Sequence, residues 1–357
     1  MPGIDKGLVV GVSINNLTGI TGYSYTVRDM IRAAREAEAM GFDAIWVHDA
    51  PLGRRTVAAY DDVNVLSAIA SCTTRLKLCT GILQPQLRNP VSLAIEWATL
   101  YAISEGRAIL GVAAGGSKAG LVKREYEAVA ALRFDPGLDP MALYVKRMKL
   151  FEESVDILRR LWREDKISYE GEFYRFRDVT LGQARPSEPP PLLIAVGIYH
   201  PKGLSPHIGH FWREDKRAGT YVLGNYQLVA DLGEGWLTCN ATPAEVAEGW
   251  AKIEQYARQK HPGKSYARAF NCFVNVDDDW RKGREAVKAQ LTGFHGPPTP
   301  DDLVDRWAVA GPPEEVARRL REYMDVGVSI FQLVIGSHDQ FGQMRLLAEK
   351  VLPLLKP

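Results

Sequence analysis

Residues 75–118, RLKLCTGILQPQLRNPVSLAIEWATLYAISEGRAILGVAAGGSK, constrain the fold of this chain more than any other stretch. Leu76, Leu78, Thr80 and Ile82 alternate with Lys77, Cys79 and Gly81 in a run that breaks at Gln84-Pro85, the pattern of a strand. Pro90 stands where a first helical turn accepts proline. Apolar residues then recur at helical spacing from Val91 to Ile103, and Gly106 closes the helix. Ala108 to Val112 is wholly apolar, as expected of a parallel strand covered on both faces, and leads into Gly115-Gly116-Ser117. Strand, helix and strand in this order make a right-handed crossover unit of a parallel sheet.

The alternation continues on both sides. Upstream, apolar strands over 8–14 and 44–47 end in Asn15-Asn16 and His48-Asp49, and helical patterns follow each, over 27–40 and from about Asp61 to Ser71. Downstream, strands are predicted over 192–196, 236–239, 270–276 and 330–335, with helices over 144–162, 243–259, 312–324 and 340–355. Eight strands, each followed by a helix, predict a (β/α)8 TIM barrel spanning 1–357 as a single domain. A doubly wound sheet is disfavoured because no GxGxxG follows the first strand. Three stretches exceed a minimal barrel: about 118–142, 165–190 with its hairpin-like ISYEGEFYRF, and 198–233. Insertions after barrel strands lie at the C-terminal, active-site face.

Composition narrows the function classes. With 44 basic and 43 acidic side chains the net charge is +1, so nothing draws the chain to nucleic acid or anionic lipid. The N-terminus MPGIDKG lacks a signal pattern and no apolar window is long enough to span a bilayer, so the expected location is the cytoplasm. Cys72, Cys79, Cys239 and Cys272 lie singly in apolar segments, which suits buried reduced thiols and predicts no metal site. A metal-dependent barrel hydrolase would often carry an HxH motif after its first strand; Ser13-Ile14-Asn15-Asn16 stands there instead.

Six segments together resemble one known family, the bacterial luciferase-like oxidoreductases. They are GFDAIWVHD (41–49), TRLKLCTGILQPQLRNP (74–90), ATLYAISEGRAILGVAAGG (98–116), YEGEFYRF (169–176), PPLLIAVG (190–197) and GPPEEVARRL (311–320). The resemblance implies a TIM barrel binding either FMN or the deazaflavin coenzyme F420 at the C-terminal ends of its strands. It places the cofactor's phosphate end at Gly115, Gly116 and Ser117 and at Ala195, Val196 and Gly197. It places a bulge, often with a non-prolyl cis peptide, at Gly81-Ile82, with that backbone behind the central ring.

From the residues alone, each glycine turn reads equally as a cradle for a phosphate or as a tight strand-to-loop turn. Deazaflavin-dependent relatives tend to carry Asp-His after the second strand. This chain has His48-Asp49-Ala50, so the aspartate matches and the histidine that serves as acid or base in the sugar-phosphate dehydrogenases is missing. Strand alternation makes it improbable that His48 and Asp49 both face one pocket, and Asp49 is favoured as the ring neighbour. His48 and Asn15 are the candidate catalytic residues. Gln84 and Tyr199, also at predicted strand ends, either bond substrate or ring or brace loops.

The turn GVAAGGSK resembles that of the F420-dependent methylene-tetrahydromethanopterin reductases more than the arginine- or threonine-rich turn of the luciferases. F420-dependent hydride transfer to or from a small organic substrate is therefore the expected reaction, in a homodimer. The alternative is a two-component monooxygenase using reduced FMN from a separate reductase, and a second alternative is a non-catalytic flavin-binding barrel. In either enzyme the cofactor supplies the hard chemistry. The insertion holding His200, His207, His210 and Trp212 is expected to be a substrate lid. A dimer contact or a surface elaboration are the other readings of it, since these histidines lack a recognised metal-ligand spacing.

Overall fold

A computed structural model describes residues 4, 7–14, 16–18, 25–49, 58–115, 140–197, 226–295 and 299–356. Eight parallel strands form a closed ring: β1 (Val9–Ser13), β2 (Ala44–Val47), β3 (Lys77–Thr80), β4 (Ala108–Val112), β5 (Leu192–Ala195), β6 (Gly235–Cys239), β7 (Ala267–Val276) and β8 (Ile330–Ile335). Each pairs with its neighbours in sequence order, and β8 closes on β1 from Val9–Ile330 to Val12–Leu333. With helices between the strands, this is the (β/α)8 barrel predicted from the sequence.

Strand alternation sorts the apolar side chains into two layers. Val9, Ala44, Trp46, Cys79, Ile109, Leu193, Leu237, Ala267, Ala269 and Ile330 fill the barrel interior. The intervening residues, among them Val10, Val12, Ile45, Val47, Leu78 and Leu110, pack outward under the helices. Trp46 fits the interior because Gly11 faces it: a Cβ there would come within 2.5 Å of the indole nitrogen.

Local chemistry sets the helix starts. Thr26 and Thr242 each form a capping box, with Asp29 and Glu245, at the heads of Val27–Ala39 and Pro243–Lys260. Asp61 caps Asp62–Ala70, and Asn89 caps Pro90–Ile103, whose proline occupies the first turn. The last helix departs from the single span expected. It runs Gln340–Leu346, widens into a π turn over Leu347–Val351 and resumes as Leu352–Leu355. Pro353 accounts for the widening, since its ring has no N–H to donate one turn back and crowds the carbonyl there.

The hairpin in 165–190 forms from Ile167–Glu170 and Arg175–Val179. Of the other two expected insertions, 118–139 and 198–225 lie outside the described residues. The helix Pro140–Arg163 starts before the expected end of the first insertion at 142, and residues 226–232, near the expected end of the second at 233, are helical. A further elaboration follows β7: helices Trp280–His295 and Asp301–Trp307, then a strand, Ala308–Gly311, that pairs with Phe273–Val276. It was not anticipated from sequence, although Asp277 and Asp279 before an amphipathic stretch are a helix-start pattern, and Arg281 N–H donates to Asp279. Among the described residues no helix is long and apolar enough to cross a membrane.

Candidate active site at the barrel mouth

The chain of β3 departs from its ladder where the sequence places Gly81. Cys79 pairs with Ile109, and pairing resumes at Leu83 with Val112, so four steps on one strand face three on the other: a bulge of one residue. Thr80 fills the gap, its hydroxyl donating to Gly111 O (2.9 Å) and accepting from Gly111 N–H (3.0 Å). The Gly81–Ile82 peptide bond within the bulge is cis. The expected bulge or cis bond is thus present in both forms.

On the other side the bulge stays tied to β2, through Gly81 N–H to Val47 O (2.8 Å) and Asp49 N–H to Ile82 O (3.1 Å). The Gly81 carbonyl turns toward the barrel axis. There it accepts from His48 Nδ1 at 2.8 Å and from the Gln332 side-chain amide at 3.3 Å. The same amide nitrogen of Gln332, on β8, donates to the Ser13 hydroxyl at 3.1 Å. A Cβ at 81 would overlap the Gln332 amide, which would have to move to admit one.

A carbonyl can only accept, so Nδ1 of His48 carries the proton of this bond, and in the neutral ring Nε2 is the basic nitrogen. The His48 backbone is clamped by the buried Asn16, whose amide donates to His48 O (2.6 Å) and to Tyr60 O (3.0 Å) and whose oxygen accepts from His48 N–H (2.9 Å).

His48 thus takes the bulge carbonyl, whereas the side chain of Asp49, the residue favoured as ring neighbour, is engaged elsewhere. Ala44 and Trp46 face the interior, so His48, two residues on, follows them, while Asp49 turns outward. Its buried carboxylate accepts from Gln84 N–H (2.8 Å) and from Arg88 at 2.7 and 3.2 Å. Arg88 also pairs with Asp62 (3.0 Å) and Asp61 (3.4 Å). Burial and the adjacent Asp49 charge push the Asp62 carboxyl up to about 8 against the pull of Arg88. Burial opposes the charge on Arg88, but Asp62 and Asp49 outweigh it and raise its pKa.

The β4 loop is held from below. Gly115 adopts φ +78°, a left-handed conformation that suits glycine, and a side chain there would overlap Gln84 Oε1 and Nη2 of Arg147. Arg147 is buried on the helix Pro140–Arg163, and Gln86 donates to Ala114 O at 2.9 Å. At the β5 end Ala195 is half-buried against the interior cluster, Gly197 is exposed, and Val196 O accepts the Trp236 indole N–H at 2.9 Å. Gln84 Oε1 thus lies against the turn at Gly115.

Across the mouth, half-buried Asn271 follows Ala267 and Ala269 on the inward face of β7 and accepts the Trp307 indole N–H at 2.9 Å. Phe273 meets Trp307 edge to face at 5.5 Å.

Of the site residues expected from sequence, His48, Gly81, Ile82, Gly115, Ala195, Val196 and Gly197 stand at the C-terminal ends of β2 to β5, with Asp49 one step outside. Asn15, Gly116, Ser117, Tyr199, His200, His207, His210 and Trp212 lie outside the described residues. Gln332, Ser13, Thr80, Arg147, Asn271 and Trp307 were missed. Gln332 was the most legible of these, a lone amide within the apolar run IFQLVI.

The family model for luciferase-like monooxygenases matches residues 9–205. An F420-dependent glucose-6-phosphate dehydrogenase of Intrasporangium calvum is 26% identical over 341 residues, covering 92% of this chain and 95% of that protein. A 5,10-methylenetetrahydromethanopterin reductase of Archaeoglobus fulgidus is 25% identical over 366 residues, covering 90% and 93%. Among solved structures, an F420-dependent secondary alcohol dehydrogenase in complex with an F420-acetone adduct superposes with a TM-score of 0.76 at 20% identity, over 98% of this chain and 100% of that one.

Proposed function

This chain belongs to the luciferase-like monooxygenase family of oxidoreductases, and from that premise we propose that it uses coenzyme F420 to transfer hydride to or from a small organic substrate. The observation that carries the reading is the Gly81–Ile82 bulge. It offers backbone, bare of a side chain at Gly81, in the wall of the mouth, with a polar pair, His48 and Gln332, on the Gly81 carbonyl.

The residues fit a tricyclic ring with an anionic tail. Gly81, Ile82 and Ala195 would back the ring. Backbone N–H groups at Gly115–Ser117 and at Gly197 would take the phosphate end, with the buried cation of Arg147 beside the turn. When bound, the deazaflavin supplies a carbon centre that accepts or donates hydride.

The chain's own residues do the rest. His48, held through Nδ1 on the Gly81 carbonyl, is the titratable side chain placed to exchange a proton with a substrate hydroxyl or carbonyl. Asn16 and Gln332 keep that imidazole in place. The F420-dependent relatives and the AAGGS turn after β4 support F420 over FMN.

The family model's own description favours a second reading, a monooxygenase using reduced FMN from a partner reductase. Titrating the protein with F420 and with FMN, each oxidised and reduced, separates the two. Binding of F420 alone supports the first reading, binding of FMN alone reverses it, and binding of neither removes both.

A further inference from the structure

The apolar run IFQLVI of β8 carries one amide, Gln332, and it is buried. A buried amide gives up its hydration and needs partners, which a leucine in the same barrel wall would not. Gln332 is in register with Gly11 on β1, and its nitrogen donates to the hydroxyl of Ser13, the next inward residue of that strand, at 3.1 Å. The same nitrogen donates to the Gly81 carbonyl at 3.3 Å. A carbonyl only accepts, so this contact fixes which end of the amide faces the bulge. One side chain thereby ties the bulge of β3 to strands two and three places away around the ring.

The bulge has a use for that tie. On the β4 side Thr80 occupies both groups of Gly111 with its hydroxyl, and on the β2 side Gly81 N–H is bonded to Val47 O. The Gly81 carbonyl is taken by side chains instead, Gln332 and His48. A peptide unit is planar, so holding its oxygen holds the tilt of the whole Gly81–Ile82 unit. The Gln332 amide also fills the volume against the Gly81 Cα, which limits rocking of the backbone from the barrel side.

We infer that Gln332 is a positioning residue for the cofactor: by holding the Gly81 carbonyl toward the barrel axis, it sets the tilt of the backbone that backs the ring. This rests on the F420 reading above and assigns the side chain that keeps its platform in place. A platform ordered in advance costs nothing to order when the ring arrives, whereas a carbonyl released from its donor has to be fixed at each binding event.

The test is the affinity for oxidised F420, by fluorescence titration, of wild type, Gln332→Met, Gln332→Glu and Ser13→Ala, with the fold of each checked by circular dichroism. Gln332→Met keeps close to the length and volume of the side chain without its donor, and should weaken binding by about three- to tenfold, the cost of ordering one freed group. Ser13→Ala removes the second anchor of the amide and should weaken binding less. In Gln332→Glu the introduced carboxylate can only accept, so it cannot hold the carbonyl at about pH 8; once protonated it regains an O–H donor. Burial raises its titration above the ordinary glutamate value of about 4.3, so its affinity relative to wild type at the same pH should recover toward about pH 5. Loss of packing alone would give no such recovery. Gln332→Met binding F420 as tightly as wild type overturns the inference, as does a deficit in Gln332→Glu that is the same at both pH values. Gln332→Met and Ser13→Ala introduce no charge, and they decide the matter if Gln332→Glu does not fold. Failure of wild type to bind F420 refutes the underlying cofactor reading, and is seen before any variant is made.

Discussion

Gly81 shows how one absent side chain can organise a site. Its carbonyl is shared by His48 and Gln332, and the Gln332 amide occupies the space a Cβ would need. Gly81→Ala should therefore cost about 1–3 kcal/mol by overpacking, read from urea unfolding, and should weaken binding of the ring cofactor. Combining it with Gln332→Ala should restore part of the stability, because the two groups compete for one volume; strict additivity would contradict that account. His48→Asn removes the basic nitrogen and should lower turnover by about 10²–10⁴, measured with saturating cofactor, if the imidazole is the proton-transfer group. The choice between His48 and Asp49 shows the limit of reading residues singly. Their order in sequence is visible, but which faces inward depends on where alternation along β2 begins, and Trp46 inside the barrel sets that phase.

Between elements, the cluster of Asp49, Asp61, Asp62 and Arg88 fastens the end of β2, the loop after β3 and the start of the helix Asp62–Ala70. Three carboxylates face one guanidinium, and the buried Asp62 keeps its proton near neutrality. Its folded pKa of about 8 lies above the ordinary aspartate value, so the stability this group contributes is full in acid. That contribution declines above about pH 4 and is lost as pH rises through the folded value. Asp62→Asn should remove that slope and gain on wild type between about pH 4 and pH 8; parallel stability–pH curves would contradict it. Arg88→Ala leaves Asp49 buried without its cation and should cost about 3–5 kcal/mol in urea unfolding at pH 7. The segment 277–311 is the element that sequence reading passed over. Its helices bury only a few apolar residues each, and their partner face, the upper half of β7, exists only because that strand outlasts β6.

At the scale of the molecule, closure of the ring makes the interior a single packed unit. Trp46, fully buried, meets side chains from several strands at once and depends on the space Gly11 leaves. Trp46→Ala should cost about 3–5 kcal/mol, measured by denaturant unfolding, and should destabilise the barrel as a whole because no single strand owns the cavity. The mouth above this packed interior is walled on one side by the bulge of β3 and on the opposite side by the tall end of β7.

The irregularity at Gly81-Ile82 was implied by the family resemblance, whereas apolar periodicity, capping residues and breakers in the sequence were sufficient for the strand–helix alternation and the count of eight. Each of these is written in local spacing, and local spacing is what backbone geometry reads. The partners of each residue across the barrel were settled only by the tertiary structure: Gln332 against Gly81, Arg88 among three carboxylates, Asn271 holding Trp307. These contacts join strands far apart in sequence, and their identity follows from the register and closure of the ring, which no single segment encodes.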